Sequence, residues 1–249
     1  MITPIDRLCI SLCVLFMSYL NMEYTMYDTL LQLPLFQGLS KAELSEVIEK
    51  VKFHFQRFRN EEIILKQGSI CNQLIFLLDG EMTFETTAPV APLVLEEILI
   101  GPSIVEIHSL FGKRPCYKAT YRARGEVSIL TIDKQYLYGV LDQYEVIRMN
   151  LFNLLSNKAE QMFETIWNIS SQKLEGRIVY LMGSLCCIPR GEKILRIKME
   201  DLAQLLDDTR LNVSRVLNKW QERGLVEMRR KEFIFHDIGQ LRAVLEEDV

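Results

Sequence analysis

Two short apolar runs near the C-terminus restrict the fold of this chain more than any other feature. Between residues 199 and 224, apolar side chains recur at spacings of three and four, first before and then after an aspartate pair, Asp207–Asp208. That period is typical of a half-buried helix. Thr209 follows the aspartates and is predicted to cap the second helix. Two helices joined by so short a connection must cross at a steep angle.

That crossing leaves one face of the second helix free, and every polar side chain on it can donate a hydrogen bond. Base edges and phosphates in the major groove of DNA offer mostly acceptors, so the face suits DNA. On this stretch alone, an ordinary helical hairpin with a solvated face fits equally well. The candidate contacts are Arg210 and Arg215 for guanine or phosphate, Asn212 and Ser214 for base edges, and Thr209 and Lys219 for phosphate.

The charge distribution favours a protein that touches DNA with one small part. The whole chain of 249 residues has a net charge of −4, which excludes a globally basic protein that coats nucleic acid. From Arg190 to Lys231, however, eleven Lys and Arg stand against seven Asp and Glu, so this stretch carries +4 and the remainder −8. An acidic body with a locally basic end is the expected footprint of such a protein.

Residues 1–26 form an apolar N-terminal extension with an uncharged run from Leu8 to Leu20. The run is too short for a membrane span, which needs about 20 apolar residues. It has the basic start of a signal peptide, but no cleavage site follows. A third interpretation places the natural start downstream, at Met22 or Met26, and a buried or peripheral helix is a fourth. We expect no membrane association.

The six cysteines predict reduced thiols in a cytoplasmic protein. None forms a CxxC pair, and no set of Cys and His has zinc-finger spacing. The adjacent Cys186 and Cys187 are poor partners for each other in a disulfide. Cys9 and Cys13 have a spacing that an iron–sulfur site could use, but they are embedded in apolar residues, and we expect no such cluster.

Residues 27–133 are predicted to form a sensor-like β domain behind two short helices. Ser40 and Glu43 have the spacing of a capping box at the start of the second helix. From Lys52 on, short β-rich runs alternate with glycine-containing turns, and a break is predicted at Gly125. Many short strands of this kind predict a small antiparallel barrel or jelly roll, which can hold a small ligand.

Residues 134–169 are predicted to connect the domains and to mediate dimerisation. A long helix has apolar residues on a stripe with spacings of three and four, and a second row widens the apolar face. A face so broad needs two partners. One is the barrel, and the other is the same helix of a second subunit, or else both sides are covered within one chain. The predicted dimer stripe is Leu151, Leu155, Ala159, Met162 and Ile166.

Residues 170–249 complete a winged helix-turn-helix. A helix and a short strand precede the two-helix pattern, and two strands around a charged tip follow it. Gly224 stands where the residue after a helix often adopts a left-handed conformation. The tip carries Arg229, Arg230 and Lys231, which are candidates for contacts with a flanking phosphate. This order of elements is far more specific than the hairpin alone and favours DNA binding.

From about residue 27 on, the chain resembles the Crp/Fnr family of bacterial transcription regulators. The resemblance rests on PLFQGLS before the barrel, LIFLLDGEM at Leu74–Met82, SILTIDK at its exit and DLAQLLDDTRLNVSRVLNKWQERGLV in the hairpin. It implies an α+β chain with an N-terminal cyclic-nucleotide-binding-like β-roll, a long dimerisation helix and a C-terminal winged helix. It also implies a homodimer on palindromic double-stranded DNA, an effector in the β-roll and RNA polymerase as a further candidate partner.

The sequence departs from the cyclic-AMP-binding pattern that the resemblance implies. Family members that bind cyclic AMP have a glycine–glutamate pair and then arginine, serine or threonine, and alanine. Here Val105 precedes Glu106, and Tyr117 and Lys118 precede Ala119. We therefore expect no tight binding of cyclic AMP and no other cofactor. An unknown small-molecule effector remains open, with a candidate pocket formed by Glu106, Arg114, Tyr117 and Lys118.

The second helix of the hairpin also departs from the family. Leu211 occupies a position where the family often has glutamate, and it can touch a thymine methyl group but cannot accept from cytosine. A different target site is therefore expected. The alternative function is a ligand-sensing module that binds protein partners through a weak or vestigial DNA-binding domain, because Asp207 and Asp208 would repel phosphate. No nucleophile–base set is evident, and an enzyme is not expected.

Overall fold

The computed structural model describes residues 26–88, 93–167, 173–188 and 191–247. The extension 1–25, with Cys9 and Cys13, lies outside the described residues. Within the described ranges, no helix combines the length and the apolar character that crossing a membrane requires.

The N-terminal domain begins with two helices, and local sequence explains the second one. Helix α1 spans Met26–Gln32 and α2 spans Lys41–Lys50. The predicted capping box of α2 is confirmed, because Ser40 accepts from the Glu43 N–H and Glu43 accepts from the Ser40 N–H. The strands that follow are β1 Phe53–Phe58, β2 Ile63–Leu65, β3 Gln73–Thr87, β4 Val94–Ile100, β5 Ser103–Val105 and β6 Thr120–Asp133.

The β-roll is built on two long antiparallel strands, β3 and β6, rather than on many short ones. The predicted break at Gly125 is wrong, because β6 runs through it. Gly125 has a φ of +82° and Gly80, on the facing strand, has +93°. A Cβ on Gly80 would lie 2.3 Å from the Glu126 carbonyl oxygen. The glycines therefore allow a bulge, which bends the strand pair without ending it.

The long helix and the C-terminal domain follow the β-roll in the predicted order, so the α+β architecture is confirmed. Helix α3 spans Lys134–Gly139, the long helix α4 Glu145–Trp167 and α5 Leu174–Leu185. The remaining elements are β7 Lys193–Arg196, α6 Met199–Leu205, α7 Arg210–Glu222, β8 Val226–Arg229, β9 Glu232–Phe235 and α8 Ile238–Glu247.

One sheet joins the two domains, which the sequence did not indicate. Within the described ranges, nine strands form a single sheet, whose main path runs β1-β6-β3-β4-β7-β9-β8. Strand β4 of the β-roll pairs antiparallel with β7 of the winged helix. Leu93 and Leu95, from the β-roll side, are buried in the hydrophobic core of the C-terminal domain. The two domains therefore share a strand junction as well as a covalent connection.

Candidate nucleic-acid interface

Helix α7 is held by its apolar side and presents its polar side outward. Its buried residues are Val213, Val216, Leu217 and Trp220, all at most 8% exposed. Thr209 caps the helix as predicted, because its hydroxyl accepts from the Asn212 N–H at 3.2 Å. At the other end Gly224 has a φ of +68°, the left-handed conformation expected there.

The outward side of α7 brings most of the predicted base-reading residues together. Leu211 is 67% exposed, and Arg210 and Arg215 are exposed beside it. Arg210 lies 3.3 Å from the Glu200 carboxylate, an ion pair that is open to water and easily exchanged. A shallow depression along this side is lined by Leu211, Ser214, Arg215, Asn218, Lys219 and Glu222.

Sequence reasoning missed Arg177, which organises the turn between α6 and α7. Its guanidinium donates to the Leu206 carbonyl at 2.7 Å and to the Asp207 carbonyl at 3.3 Å, and it pairs with the Asp208 carboxylate. The Leu206 carbonyl stands at the C-cap of α6, where backbone acceptors have no partner within the helix. Arg177 belongs to α5, and no local sequence pattern predicts its contact with Asp208, which is 31 residues away.

Asp208 is bonded on several sides rather than free in the turn. Its carboxylate accepts from Asn212 Nδ2 at 2.9 Å and from the Thr209 N–H at 2.8 Å. The Asn212 side chain, the Thr209 N–H and the Arg177 guanidinium together hold the pKa of Asp208 below its usual range. The negative charge of Asp208 is therefore countered within the protein. Because Asn212 donates one of its two side-chain hydrogens to Asp208, only the other is available for a base edge.

The wing supplies fewer free cations than its sequence indicates. Arg229 ends β8 and is held by Glu227 at 2.9 Å and by Glu232 at 3.5 Å. Arg230 and Lys231 form the exposed tip between β8 and β9, with Lys231 at a φ of +61°. Of the three predicted phosphate contacts, the two at the tip are the ones placed to meet DNA without first breaking an ion pair with a nearby carboxylate.

In the β-roll, the predicted effector-pocket residues have donors and acceptors that the protein itself uses. Both oxygens of Glu106 accept from its own chain: from the Lys118 N–H at 2.7 Å, the Ala119 N–H at 2.9 Å and the Ser109 hydroxyl at 2.8 Å. Consecutive backbone N–H groups make a concavity that binds anions. Here the anion is a side chain of the same domain. Glu106 has a left-handed backbone, with a φ of +38°.

The other predicted pocket residues do not converge on Glu106. Tyr117 is buried, and its hydroxyl donates to the Gln73 carbonyl at 3.3 Å. Burial raises the pKa of Tyr117, so its hydroxyl stays neutral. The side chains of Arg114 and Lys118 are exposed. Only Glu106 and the backbone of Lys118 therefore meet in the structure.

The predicted dimer stripe on α4 divides between two sides of the helix. Leu151 and Leu155 are half-buried against the core of the β-roll, so this part of the predicted stripe already has a partner within the chain. Ala159 is exposed, and the side chains of Met162 and Ile166 lie outside the described residues. A second, exposed stripe consists of Met149, Phe152, Ser156, Ala159 and Phe163, at spacings of three and four.

Comparisons with known proteins agree with this architecture. Residues 55–144 match the model of the cyclic nucleotide-binding domain, and residues 172–244 match that of the Crp-like helix-turn-helix domain. Together they cover about two thirds of the chain. A search of curated proteins finds no match.

Several solved structures are similar to this chain. One is the catabolite activator protein of Thermus thermophilus, at 19% identity and a TM-score of 0.49, covering 86% of this chain and 99% of that one. Another is the c-di-GMP responsive global regulator CLP of Xanthomonas campestris, at 18% identity and a TM-score of 0.47, covering 79% of this chain and 99% of that one. A third is FixK2 of Bradyrhizobium japonicum, at 10% identity and a TM-score of 0.44, covering 78% of this chain and 97% of that one.

A sensor-type β-roll joined to a winged helix with a donor-rich exposed helix defines a class, the DNA-binding transcription regulators with an attached sensor domain. The two domain models, in this order along one chain, narrow the class further. The chain belongs to the Crp/Fnr family.

Proposed function

We propose that this regulator acts as a homodimer on a palindromic DNA site, with one α7 helix of each subunit in successive major grooves. The observation that carries the proposal is the exposed, donor-rich side of α7, which Arg177 and Thr209 hold in place from either side of the turn. Half-sites for such a pair are separated by about one helical turn, roughly 34–36 Å.

The exposed stripe of α4 supports the homodimer. Met149 is 49% exposed, Phe152 53% and Phe163 60%, and the spacing of the stripe is that of a two-stranded coiled coil. Small residues at 156 and 159 would let the two helices approach closely. The seam proposed here uses the side of the helix that faces away from the β-roll.

The proposed sensor domain works without cyclic nucleotide and without a metal cofactor. Glu106 already satisfies the two N–H groups that a phosphate would need, and its own carboxylate would repel a second anion. The acidic turn gives less support to a purely protein-binding module than its sequence indicates, because Arg177 neutralises Asp208, one of its two aspartates. RNA polymerase remains the proposed protein partner. The free thiols of the described cysteines are compatible with action in the cytoplasm.

Selection from random duplexes with the full chain tests this function. We expect an enriched palindrome, and we expect changing Arg210 and Arg215 together to alanine to weaken its binding at least about tenfold, since one arginine–guanine pair contributes about 1–3 kcal/mol. Arg57→Ala is the matched control, because Arg57 is an exposed arginine on β1, far along the chain from α7. Absence of an enriched palindrome, or an equal loss in the control, would contradict the proposal.

A further inference from the structure

The pairing of β4 with β7 is a short junction between the sensor and the DNA-binding domain. Four pairs of residues are in register, from Val94 opposite Arg196 to Glu97 opposite Lys193. Leu95 and Leu195 face each other in the middle and are at most 2% exposed. The winged helix is thus docked on the β-roll through backbone ladder bonds and a small apolar contact.

A buried ion pair closes one end of this junction, with one charge from each domain. Glu97 of β4 and Lys193 of β7 lie 3.5 Å apart, and both side chains are at most 1% exposed. Glu97 also accepts from the N–H groups of Cys187 and Ile188, at 2.7 and 3.0 Å. Charges buried in this way are costly unless they are paired, and they regain full hydration when the strands separate. A junction of this composition is suited to opening in a way that a purely apolar one is not.

The other end of the junction carries an excess of negative charge next to the wing. The guanidinium of Arg196 is within 3.0 Å of Glu85, 2.7 Å of Glu96 and 3.3 Å of Glu232. Arg196 therefore faces three carboxylates: two belong to the β-roll, and the third, Glu232, also pairs with Arg229 at 3.5 Å. Glu232 opens β9 and lies next to the wing tip in sequence. When the junction is closed, β-roll carboxylates stand close to the element that must approach a phosphate backbone.

We propose that the β4–β7 junction is a reversible latch whose closed form has the lower affinity for DNA. The inference rests on the proposed DNA-binding function. Opening removes Glu85 and Glu96 from the base of the wing and releases Arg196 from them. Because a phosphate backbone repels carboxylates that lie within about a Debye length, roughly 8–10 Å, DNA binds the open form better. Whatever opens the latch therefore activates binding.

A disulfide across the junction tests the closed form. Leu95 and Leu195 are opposite each other in the register, and replacing them leaves Glu85, Glu96 and Arg196 in place. In the double variant Leu95→Cys/Leu195→Cys, we expect the oxidised protein to bind the selected palindrome about tenfold more weakly than the same protein after reduction, a coupling of ordinary size. The single variants Leu95→Cys and Leu195→Cys, oxidised in parallel, control for the native cysteines and for the lost apolar contact. Equal binding before and after reduction would overturn the latch.

Glu97→Gln tests the open form with little change of shape. It removes the negative charge of Glu97 from its contact with Lys193, so the closed junction loses that attraction and the open form gains population. We expect faster hydrogen exchange in peptides that cover 94–97 and 193–196, and about tenfold tighter binding of the selected duplex. Glu126→Gln is the control for net charge, because Glu126 is exposed on β6.

The two readouts separate the two proposals. If wild type enriches no duplex, the proposed function fails. If wild type binds its duplex while Glu97→Gln exchanges faster and binds no more tightly, the latch alone is wrong.

Discussion

The β-roll and the winged helix differ in whether their key hydrogen-bonding groups are paired within the protein or exposed to solvent. In the β-roll, two backbone N–H groups and a serine hydroxyl converge on Glu106, so a site suited to an anion is filled from within. On α7, the groups that hold the helix lie at its start and beneath it, while Arg215 and Leu211 point to solvent. A region that satisfies itself is stable without a ligand, and a region that does not is available for one.

Removing the Glu106 carboxylate from the N–H groups that bind it should have the largest effect on stability. Glu106→Ala leaves two backbone N–H groups and the buried Ser109 hydroxyl without their acceptor, at a cost of about 3 kcal/mol in the free energy of unfolding. Urea unfolding of the full chain measures it, with Glu126→Ala as the control. Added phosphate should then stabilise the variant and leave wild type unchanged. A stability loss no greater than that of the control would break the contrast between the two regions.

Removing the Arg177 guanidinium from the turn between α6 and α7 should have the second-largest effect on stability. Arg177→Met deletes the bonds to the Leu206 and Asp207 carbonyls, and we expect a loss of about 2 kcal/mol in the free energy of unfolding. Because the start of α7 is then less well fixed, the affinity for the selected duplex should fall as well. Arg177→Lys keeps the charge near Asp208 but not the fork of donors, so an intermediate result is expected. Wild-type affinity in the methionine variant would show that α7 needs no support from α5.

The Thr209 cap of α7 should contribute less to stability than Arg177 does. Thr209→Ala removes the acceptor for the Asn212 N–H and should cost about 1 kcal/mol, the usual value of such a cap. Thr209→Ser keeps the hydroxyl and should restore stability. If the serine variant regains stability but not DNA affinity, the threonine methyl group itself contributes to binding. If both variants match wild type in thermal unfolding, Thr209 does not serve as a cap in solution.

The smallest effect on stability, and the sharpest on specificity, is expected at Leu211. The side chain is 67% exposed, so Leu211→Glu should leave the free energy of unfolding within about 0.5 kcal/mol of wild type. A carboxylate there can accept from cytosine, whereas leucine can only touch a thymine methyl group. Repeating the duplex selection should therefore replace a thymine by a cytosine at one position of each half-site. Identical sites for both proteins would place Leu211 outside the interface.

Features with short-range causes could be predicted from the sequence, and those with long-range causes could not. The box at Ser40, the cap at Thr209 and the turn at Gly224 each depend on residues within a few positions, and all are confirmed. Arg177 and Lys193 gave no such signal. Their partners, Asp208 and Glu97, lie on other elements and are adjacent only after the chain has folded.

The long helix shows a related limit of periodicity. Its apolar pattern is wide enough to cover two partners, and periodicity alone does not say which edge of the stripe meets which partner. Leu151 and Leu155, predicted for the dimer stripe, are half-buried against the β-roll, and their place in a dimer stays a prediction. The strand break at Gly125 was predicted because glycine so often ends a strand. Only the facing Gly80 shows that this one bends it.

The four-pair ladder between β4 and β7 also limits where the DNA-binding domain can rest. Side chains alternate between the faces of a strand, so a slip by one residue would turn Leu195 out of the core and Lys193 away from Glu97. The next register that restores the pattern is two residues away, a step of about 7 Å along the strand. The docked domain therefore has discrete positions rather than a continuous range, and a signal to this regulator would be transmitted as a step.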